Sequence, residues 1–142
     1  MHMHREPQTM QVSPMEGEVL AQVLSFLSQR ALALTQRGVA KARIVLDPGI
    51  GFGKTAEQNF SLLAQQQTLL NGGYPLLAGW SRKRSLASSL DLPSAAGTDM
   101  PHPRMVASVA AALLAVERGA AIVRVHDVRE TVQALKVLSA IK

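Results

Sequence analysis

The sequence contains no cysteine and few aromatic side chains. One Trp, one Tyr and three Phe stand among its 142 residues. Without cysteine, the chain has no disulfide framework, no thiolate metal ligand and no cysteine nucleophile. The shortage of aromatics leaves few surfaces on which nucleic-acid bases stack. Hydrophobic residues make up 47% of the chain, which is enough to build the core of a globular domain.

Long hydrophobic runs are also absent from the sequence. The longest strongly apolar stretch, residues 105–116, is too short to span a bilayer, and residues 1–11 lack the apolar centre of a signal peptide. We therefore expect no membrane contact and a cytoplasmic location.

Acidic residues are fewer than basic ones, and the formal net charge is +5. The basic residues are dispersed, with one cluster at residues 81–84, SRKR. Dispersed charge with few aromatics is a poor match to a nucleic-acid surface. We expect no nucleic-acid partner, and a small anionic ligand fits the charge better.

Helical and strand patterns alternate along the chain. Apolar residues at helical spacing predict helices over residues 16–38, 56–73, 103–119 and 128–142. Short buried runs between them predict strands over residues 43–47, 74–79 and 120–127. This alternation predicts an α/β fold, in which right-handed crossovers join parallel strands and helices cover the sheet.

Polar side chains follow each predicted strand. They are Asp47 for the first strand, Ser81, Arg82 and Lys83 for the second, and Arg124, His126 and Asp127 for the third. Ligand sites of parallel α/β folds lie at the carboxyl ends of the strands, so we expect these side chains to face one concave rim. Arg124 and His126 alternate along their strand and therefore share a face.

Three glycines and a lysine follow Asp47 in the stretch VLDPGIGFGKT. The spacing excludes the Walker A motif, because Pro48 stands where that motif needs glycine. It also excludes the dinucleotide fingerprint, because Lys54 occupies the position of the third glycine. We interpret the segment either as an ordinary turn or as a loop whose glycines let the backbone approach a flat ligand closely.

Four segments resemble the signature segments of dihydropteroate synthases, in the same order. They are MHMHREPQTMQ, LDPGIGFGKT, PLLAGWSRKRSL and IVRVHDVRETV. The family fold is a TIM barrel of eight strands. The resemblance implies that residues 1–142 form the C-terminal half of such a barrel, from the end of strand five to helix eight. The other half is expected to lie outside this sequence.

The resemblance implies a reaction of folate biosynthesis. The family condenses 6-hydroxymethyl-7,8-dihydropterin pyrophosphate with p-aminobenzoate, which gives dihydropteroate and pyrophosphate. Mg²⁺ is expected to act through the substrate pyrophosphate, with its protein ligand in the first half of the barrel. The expected macromolecular partner is a second copy of the chain or the missing half-barrel.

The resemblance also implies roles for individual residues. The Asp47 carboxylate would accept two hydrogen bonds from a pterin, and Phe52 would cover the pterin ring. Lys83 would reach the pterin and border the p-aminobenzoate pocket, while Arg124 and His126 would hold pyrophosphate. Catalysis is thus assigned to Lys83, Arg124 and His126. The substrate-binding set is Asp47, Phe52, Gly79, Ser81, Lys83, Arg84, Arg124 and His126.

Plainer interpretations of these residues stay open. Asp47 would also serve as a turn cap before Pro48. Phe52 would also serve as a core residue, and the basic cluster as a solvated turn. Asp127 is expected to cap the last helix, because Glu130 stands three residues later as in a capping box.

The sequence departs from the family pattern at three positions. Arg5 and Ala107 stand where the family usually has glycine, and Arg84 stands where it usually has serine. That serine helps to anchor the p-aminobenzoate carboxylate at a helix N-terminus. Arg84 either binds this carboxylate in another way or blocks the pocket.

Two other functions fit parts of the pattern. One is a pterin-binding module of a methyltetrahydrofolate-dependent methyltransferase, which would share the pterin aspartate but would not need Arg124 and His126 for pyrophosphate. The other is a non-catalytic remnant of a synthase.

Overall fold

The fold is described by a computed structural model that covers residues 1–88 and 102–141. Its helices are α1 (Val19–Gln36), α2 (Ala56–Ala64), α3 (Arg84–Ser88), α4 (Met105–Glu117) and α5 (Val128–Ala140). Its strands are β1 (Leu77–Ala78) and β2 (Ile122–Val123). Short 3₁₀ turns lie at Lys41–Arg43 and Gln66–Leu70.

The strands pair in parallel, as the alternating pattern predicts. In β1 and β2, Leu77 pairs with Ile122 and Ala78 with Val123. On the edge of β1 that faces away from β2, Leu46 forms a parallel bridge with Leu76, the residue before β1. The N-terminal segment continues the same order, because the His2 amide donates to the Asp47 carbonyl at 2.9 Å. Neighbouring segments of the sheet therefore follow one another in chain order.

Helix α1 illustrates how the apolar spacing directs the fold. Val19, Val23, Leu27 and Ala31 recur every four residues, and all four are buried. One face of the helix therefore packs on the core, as expected for an amphipathic surface helix. The helix ends just before Gly38, whose φ of +87° a residue with a side chain rarely adopts.

Helix α2 is shorter than the pattern predicts. A capping box begins it, because Thr55 accepts from the Gln58 amide and the Gln58 side chain accepts from the Thr55 amide. The predicted span of residues 56–73 is wrong in its second half, where a 3₁₀ turn follows. There Gln66 turns inward and donates to the Ala115 carbonyl at 2.8 Å, which ties the turn to the end of α4.

The first predicted strand, residues 43–47, is also shorter than expected. It is reduced to the bridge at Leu46, because its first residue belongs to the 3₁₀ turn Lys41–Arg43. The apolar run nevertheless has its expected place, since Ile44 and Leu46 are buried in the core.

The core lies between the sheet and the helices. Trp80, directly beyond β1, is 1% exposed and stacks on Phe60 of α2 with ring centroids 5.3 Å apart. This packing anchors the polypeptide that leads into the SRKR cluster. Among the helices of the described ranges, none combines the length and the hydropathy of a membrane-spanning segment.

Candidate functional site

The carboxyl ends of the parallel segments bring three loops to one edge of the sheet. Asp47 follows Leu46, Lys83 follows β1, and His126 follows β2. Lys83 lies within electrostatic range of both Asp47 and Arg124. The loops that the sequence pattern selected are therefore neighbours in the structure.

A cavity of about 160 Å³, which we call the anion pocket, lies at this edge. It is lined by Gly79, Ser81, Lys83, Arg124, Val125 and His126. Five of these were in the predicted substrate-binding set, and Val125 was not. Lys83 and Arg124 bring positive charge to a small space, which favours a compact anion.

Ser81 orients His126 within the anion pocket. The Ser81 Oγ accepts from the His126 backbone amide at 3.1 Å, and the same Oγ lies 2.9 Å from the imidazole Nδ1. Ser81 is buried, so this pair of contacts fixes the ring from its inner side. The Nε2 edge of the imidazole is thereby available to a ligand.

Gly79 provides room for the guanidinium of Arg124. A Cβ at Gly79 would lie 2.8 Å from Nη2 of Arg124, closer than side-chain carbons approach other atoms. Any side chain at this position would therefore displace the arginine. The glycine at the end of β1 thus has a steric reason that sequence inspection alone did not provide.

Lys83 connects the anion pocket to the glycine loop, residues 48–53. Its ammonium nitrogen lies 4.3 Å from the centroid of the Phe52 ring, which is a cation–π distance. Burial lowers the pKa of Lys83, as does the nearby Arg124, while Asp47 opposes these effects. The structure therefore places Phe52 against Lys83 rather than in the core.

Asp47 lies beside the anion pocket and does not line it. Its Oδ1 accepts from the Gly49 amide at 2.7 Å, as in a turn. This contact matches the plainer interpretation of Asp47 as a turn residue. Within residues 1–88 and 102–141, no hydrogen bond to the second carboxylate oxygen is found, so that oxygen is available to accept one.

Lys54 has a structural position that sequence reasoning missed. It is 5% exposed, and its Nζ donates to the carbonyls of Gly49 at 2.9 Å and Phe52 at 3.2 Å. The same nitrogen lies 2.9 Å from the Nδ1 of His2, which therefore acts as an acceptor. One buried ammonium thus holds both ends of the glycine loop.

Burial controls the ionisation of this pair. It lowers the pKa of Lys54 to about 8, with Lys83 contributing in the same direction and Asp47 in the opposite one. Burial, and then the charge of Lys54, lower the pKa of His2 to about 4. Near neutral pH the pair is therefore a neutral imidazole beside an ammonium. The sequence signals for Lys54 were its place in the segment LDPGIGFGKT and the two phosphate-loop spacings that failed there.

The expected capping box at Asp127 is wrong. Asp127 stands at the N-terminus of α5, but its side chain makes no capping hydrogen bond. It pairs instead with Arg82, which lies on the neighbouring loop. The stronger partner for a carboxylate is the guanidinium, which donates twice, and this explains the departure from the local pattern.

Arg84 lines a second cavity, of about 290 Å³, which we call the basic cavity. Its lining residues are Gln11, Gly51, Lys54, Ala56, Arg82, Lys83, Arg84 and Ser85. Lys83 lines both cavities, so they are adjacent. Arg84 is exposed and borders the basic cavity together with three other cations, so an anionic group is the ligand that this lining favours.

Two departures from the expected family pattern have a structural outcome. Arg5 has a φ of +58°, which favours glycine. Ala107 is partly buried against the core, which accommodates its methyl group. The backbone at Arg5 is thus strained where that of a glycine would not be, whereas the methyl group of Ala107 fits into the packing of the core.

The side chains that could ligate a metal are dispersed in the described part of the chain. Over residues 1–88 and 102–141, no group of three or more His, Asp or Glu side chains converges on one point. The anion pocket itself is lined by cations. These residues therefore do not fit a resident Mg²⁺ ion.

The fold and site define a parallel α/β protein with an anion pocket at the carboxyl ends of its strands. Residues 1–126 match the family described as pterin binding enzyme. The chain belongs to this family.

Individual relatives agree with the family match. The chain is 40% identical over 140 residues to the dihydropteroate synthase of Escherichia coli K12, and 44% identical over 142 residues to that of Neisseria meningitidis serogroup C. These alignments cover 99% of this chain but 47% and 48% of the two relatives. The chain therefore spans about half the length of the relatives it matches.

Solved structures give the same result. A dihydropteroate synthase from Stenotrophomonas maltophilia superposes with a TM-score of 0.89 at 48% identity, over 99% of this chain and 51% of that one. A Burkholderia cenocepacia synthase complexed with 7,8-dihydropteroate gives a TM-score of 0.83 at 50% identity, over 99% and 50%. The predicted fold class, half of a TIM barrel, is confirmed. The boundaries assigned to residues 1–142, strand five to helix eight, stay a prediction.

Proposed function

We propose that this chain forms part of a dihydropteroate synthase. In this proposal it binds 6-hydroxymethyl-7,8-dihydropterin pyrophosphate and p-aminobenzoate, and the complete barrel joins them. The observation that carries the proposal is the anion pocket, where Lys83, Arg124 and His126 converge beside the glycine loop.

The anion pocket suits the pyrophosphate group. In the proposed reaction, the amine nitrogen of p-aminobenzoate forms a bond to the exocyclic methylene carbon of the pterin and loses a proton. The bond between that carbon and the pyrophosphate oxygen breaks, and the departing pyrophosphate or solvent accepts the proton. Negative charge then accumulates on the leaving pyrophosphate, and the fixed cations of Lys83 and Arg124 would stabilise it. His126, oriented by Ser81, would donate a hydrogen bond.

The pterin would lie between Asp47 and Lys83. The available oxygen of the Asp47 carboxylate accepts N–H donors of the kind that the pterin ring carries. Phe52 contributes an aromatic face next to Lys83, at the rim where a flat ring would enter. The glycine loop keeps this approach open, because a Cβ at Gly51 would lie 3.2 Å from Cδ of Lys83.

The basic cavity suits the carboxylate of p-aminobenzoate. It adjoins the anion pocket through Lys83, and Arg84 supplies positive charge, whereas the guanidinium of Arg82 is paired with Asp127. We propose that Arg84 binds the carboxylate in place of the serine that the family resemblance implies. A solved Xanthomonas albilineans synthase contains 4-aminobenzoic acid, which supports this class of ligand.

The rest of the barrel would complete the site. The described residues do not fit a protein-held Mg²⁺. In this proposal the ion would enter with the substrate pyrophosphate and be held by the other half-barrel. No step of the chemistry above depends on it.

The alternative functions are less well supported. A methyltetrahydrofolate-dependent module has no pyrophosphate to hold, and the convergence of Lys83, Arg124 and His126 would then lack a ligand. A non-catalytic remnant would not need these cations in one pocket either. No observation on the described residues favours one of them over the synthase.

Calorimetric titration with inorganic pyrophosphate tests the proposal. Arg124→Ala should weaken binding about 10- to 100-fold, because a charged hydrogen bond to the anion is lost. Arg43→Ala is the matched control, since Arg43 is exposed near the other end of the sheet and the net charge falls equally. Equal affinities of the two variants would refute the pyrophosphate assignment.

A further inference from the structure

The side chain of Asn59 connects two loops of the candidate site. Asn59 lies on α2 and is 0% exposed. Its Oδ1 accepts from the Gly51 amide of the glycine loop at 2.9 Å. Its Nδ2 donates to the Oγ of Ser85, the residue that follows the SRKR cluster, also at 2.9 Å. A single buried amide therefore bridges the two segments.

These two segments carry the residues that face each other across the site. Gly51 is next to Phe52, and Ser85 is two residues beyond Lys83. The Phe52 ring and the Lys83 ammonium are 4.3 Å apart. The Asn59 bridge therefore joins the two backbone segments that carry this pair of side chains.

Further hydrogen bonds of Asn59, including a long one of 3.4 Å to the Lys54 carbonyl, anchor the bridge to the start of its own helix. The Nδ2 also donates to the Thr55 carbonyl at 2.7 Å, at the capped start of α2. The side chain thus uses one acceptor and both donors of its amide. Aspartate has no donor there, and leucine would leave the partly buried Gly51 amide without this acceptor.

We propose that Asn59 is a positioning residue that holds the glycine loop and the Lys83 segment at the spacing required to bind a pterin. The structural half of this proposal, the fixed spacing, is independent of any ligand. The ligand half rests on the proposed function above. Asn59 itself does not touch the substrate.

The spacing is tested by nuclear magnetic resonance on the 142-residue chain. The Lys83 ammonium nitrogen lies 4.3 Å from the Phe52 ring centroid, so the ring current should shift the resonance of the neighbouring Cε protons, and Phe52→Leu supplies the unshifted reference. Asn59→Leu should reduce the shift about twofold or more, because the two loops separate. Ser85→Ala removes the bond between Asn59 and the Lys83 segment and should reduce the shift in the same direction.

Gln66→Leu is the matched control. Gln66 is also a buried amide, 2% exposed, but its Nε2 bonds to the end of α4 rather than to the site. It should lower stability as Asn59→Leu does and leave the Lys83 shift unchanged. If Asn59→Leu does not fold, Ser85→Ala alone decides the outcome. An unchanged shift in folded Asn59→Leu, or in Ser85→Ala, would overturn the proposal.

The ligand half is tested with 6-hydroxymethyl-7,8-dihydropterin. Asn59→Leu should weaken its binding about 10-fold or more, because misplaced groups no longer contact the ring together, while Gln66→Leu retains the wild-type affinity. If the wild-type chain does not bind this pterin, the proposed function fails and the spacing result still stands. If it binds and Asn59→Leu binds equally well, the positioning role is wrong.

Discussion

Arg82 and Asp127 form a bidentate ion pair between the loops that follow β1 and β2. The Arg82 Nη2 lies 2.7 Å from Oδ1 of Asp127, and Nε lies 3.3 Å from Oδ2. Asp127 adjoins His126, and Arg82 adjoins Lys83. The pair therefore joins the two sides of the anion pocket and fixes their separation.

This relationship predicts how stability responds to acid. The hydrogen bond from Arg82 lowers the pKa of Asp127 below its ordinary value, although partial burial opposes the shift. A lowered pKa in the folded state adds stability above the unfolded value of about 3.9, and this stability is lost as the pH falls through the folded pKa. Asp127→Asn should therefore be less stable than the wild type at pH 7.

Urea unfolding at several pH values measures this effect. The gap between wild type and Asp127→Asn should close as the pH falls below about 4. Glu117→Gln is the control, since Glu117 forms a longer, exposed contact of 3.7 Å with Arg118 and should show almost no gap. A gap for Asp127→Asn that persists unchanged in strong acid would contradict this account.

The steric fit between Gly79 and Arg124 predicts a selective loss of anion binding. In Gly79→Ala the new methyl group displaces the guanidinium, so the affinity for inorganic pyrophosphate should fall about 10-fold. Gly72→Ala is the control, because a Cβ there meets only the Tyr74 ring at 3.4 Å. Calorimetry compares the two variants. Equal losses in both would mean that the contact with Arg124 is not the cause.

Alternation of helix and strand was sufficient to predict the α/β class and the edge at which the loops meet, whereas the half-barrel was predicted from the family resemblance. Parallel pairing places successive carboxyl ends together, so Lys83, Arg124 and His126 were among the candidates that position selected, and the resemblance supplied their expected roles. Local patterns failed where long-range contacts decided the outcome. The Gln66 side chain donates to a carbonyl of α4, at a point where the sequence predicted that the helix would continue. The Asp127 side chain pairs with Arg82 and does not cap α5.

The buried polar groups beneath the site could not be predicted. Lys54 and Asn59 look like ordinary residues of a loop and a helix, because the segment LDPGIGFGKT that contains Lys54 predicted no role for it and Asn59 belongs to none of the quoted segments. Their partners are backbone groups of the glycine loop, which become neighbours only after the chain has folded. Sequence periodicity reports which face is buried and does not report which hydrogen bonds are made there.

The pairing of His2 with Lys54 predicts a second response to pH. The pKa of His2 is lowered to about 4, so the folded state keeps the imidazole neutral where the unfolded chain, with a pKa of about 6.5, binds a proton. This stability is present above about 6.5 and is lost as the pH falls toward 4.

Replacement by a ring that does not titrate tests the effect of His2. His2→Phe retains the packing against Phe26, whose ring centroid lies 5.1 Å away, and removes the titration. Its stability, followed by urea unfolding, should vary less than that of the wild type between about pH 4 and 6.5. If the stabilities of the two proteins change in parallel over this pH range, the pKa of His2 is not lowered in the folded state.

The left-handed backbone at Arg5 predicts a stabilising substitution. Arg5→Gly should raise the free energy of unfolding by about 0.5 kcal/mol, because relief of the strained φ exceeds the entropy that glycine adds to the unfolded chain. Arg5→Ala is the control, since it removes the same side chain and keeps the strain. Thermal unfolding should separate the two variants, and equal stability would show that the backbone there is not strained.

The 142-residue chain should associate when it is produced alone, and it should lack appreciable synthase activity. In the described part of the chain, β2 pairs with β1 on one side, and Ile122 is 43% and Val128 58% exposed beside its other edge. An open strand edge with apolar neighbours favours pairing with a second copy.

Ile122→Lys should therefore shift the chain toward monomer in sedimentation velocity, because edge lysines oppose strand pairing. Val12→Lys adds the same charge at a residue 84% exposed in the N-terminal segment and should leave the association unchanged. A wild-type chain that sediments as a monomer at all concentrations, or that converts both substrates at the rates of a complete enzyme, would show that half a barrel is self-sufficient.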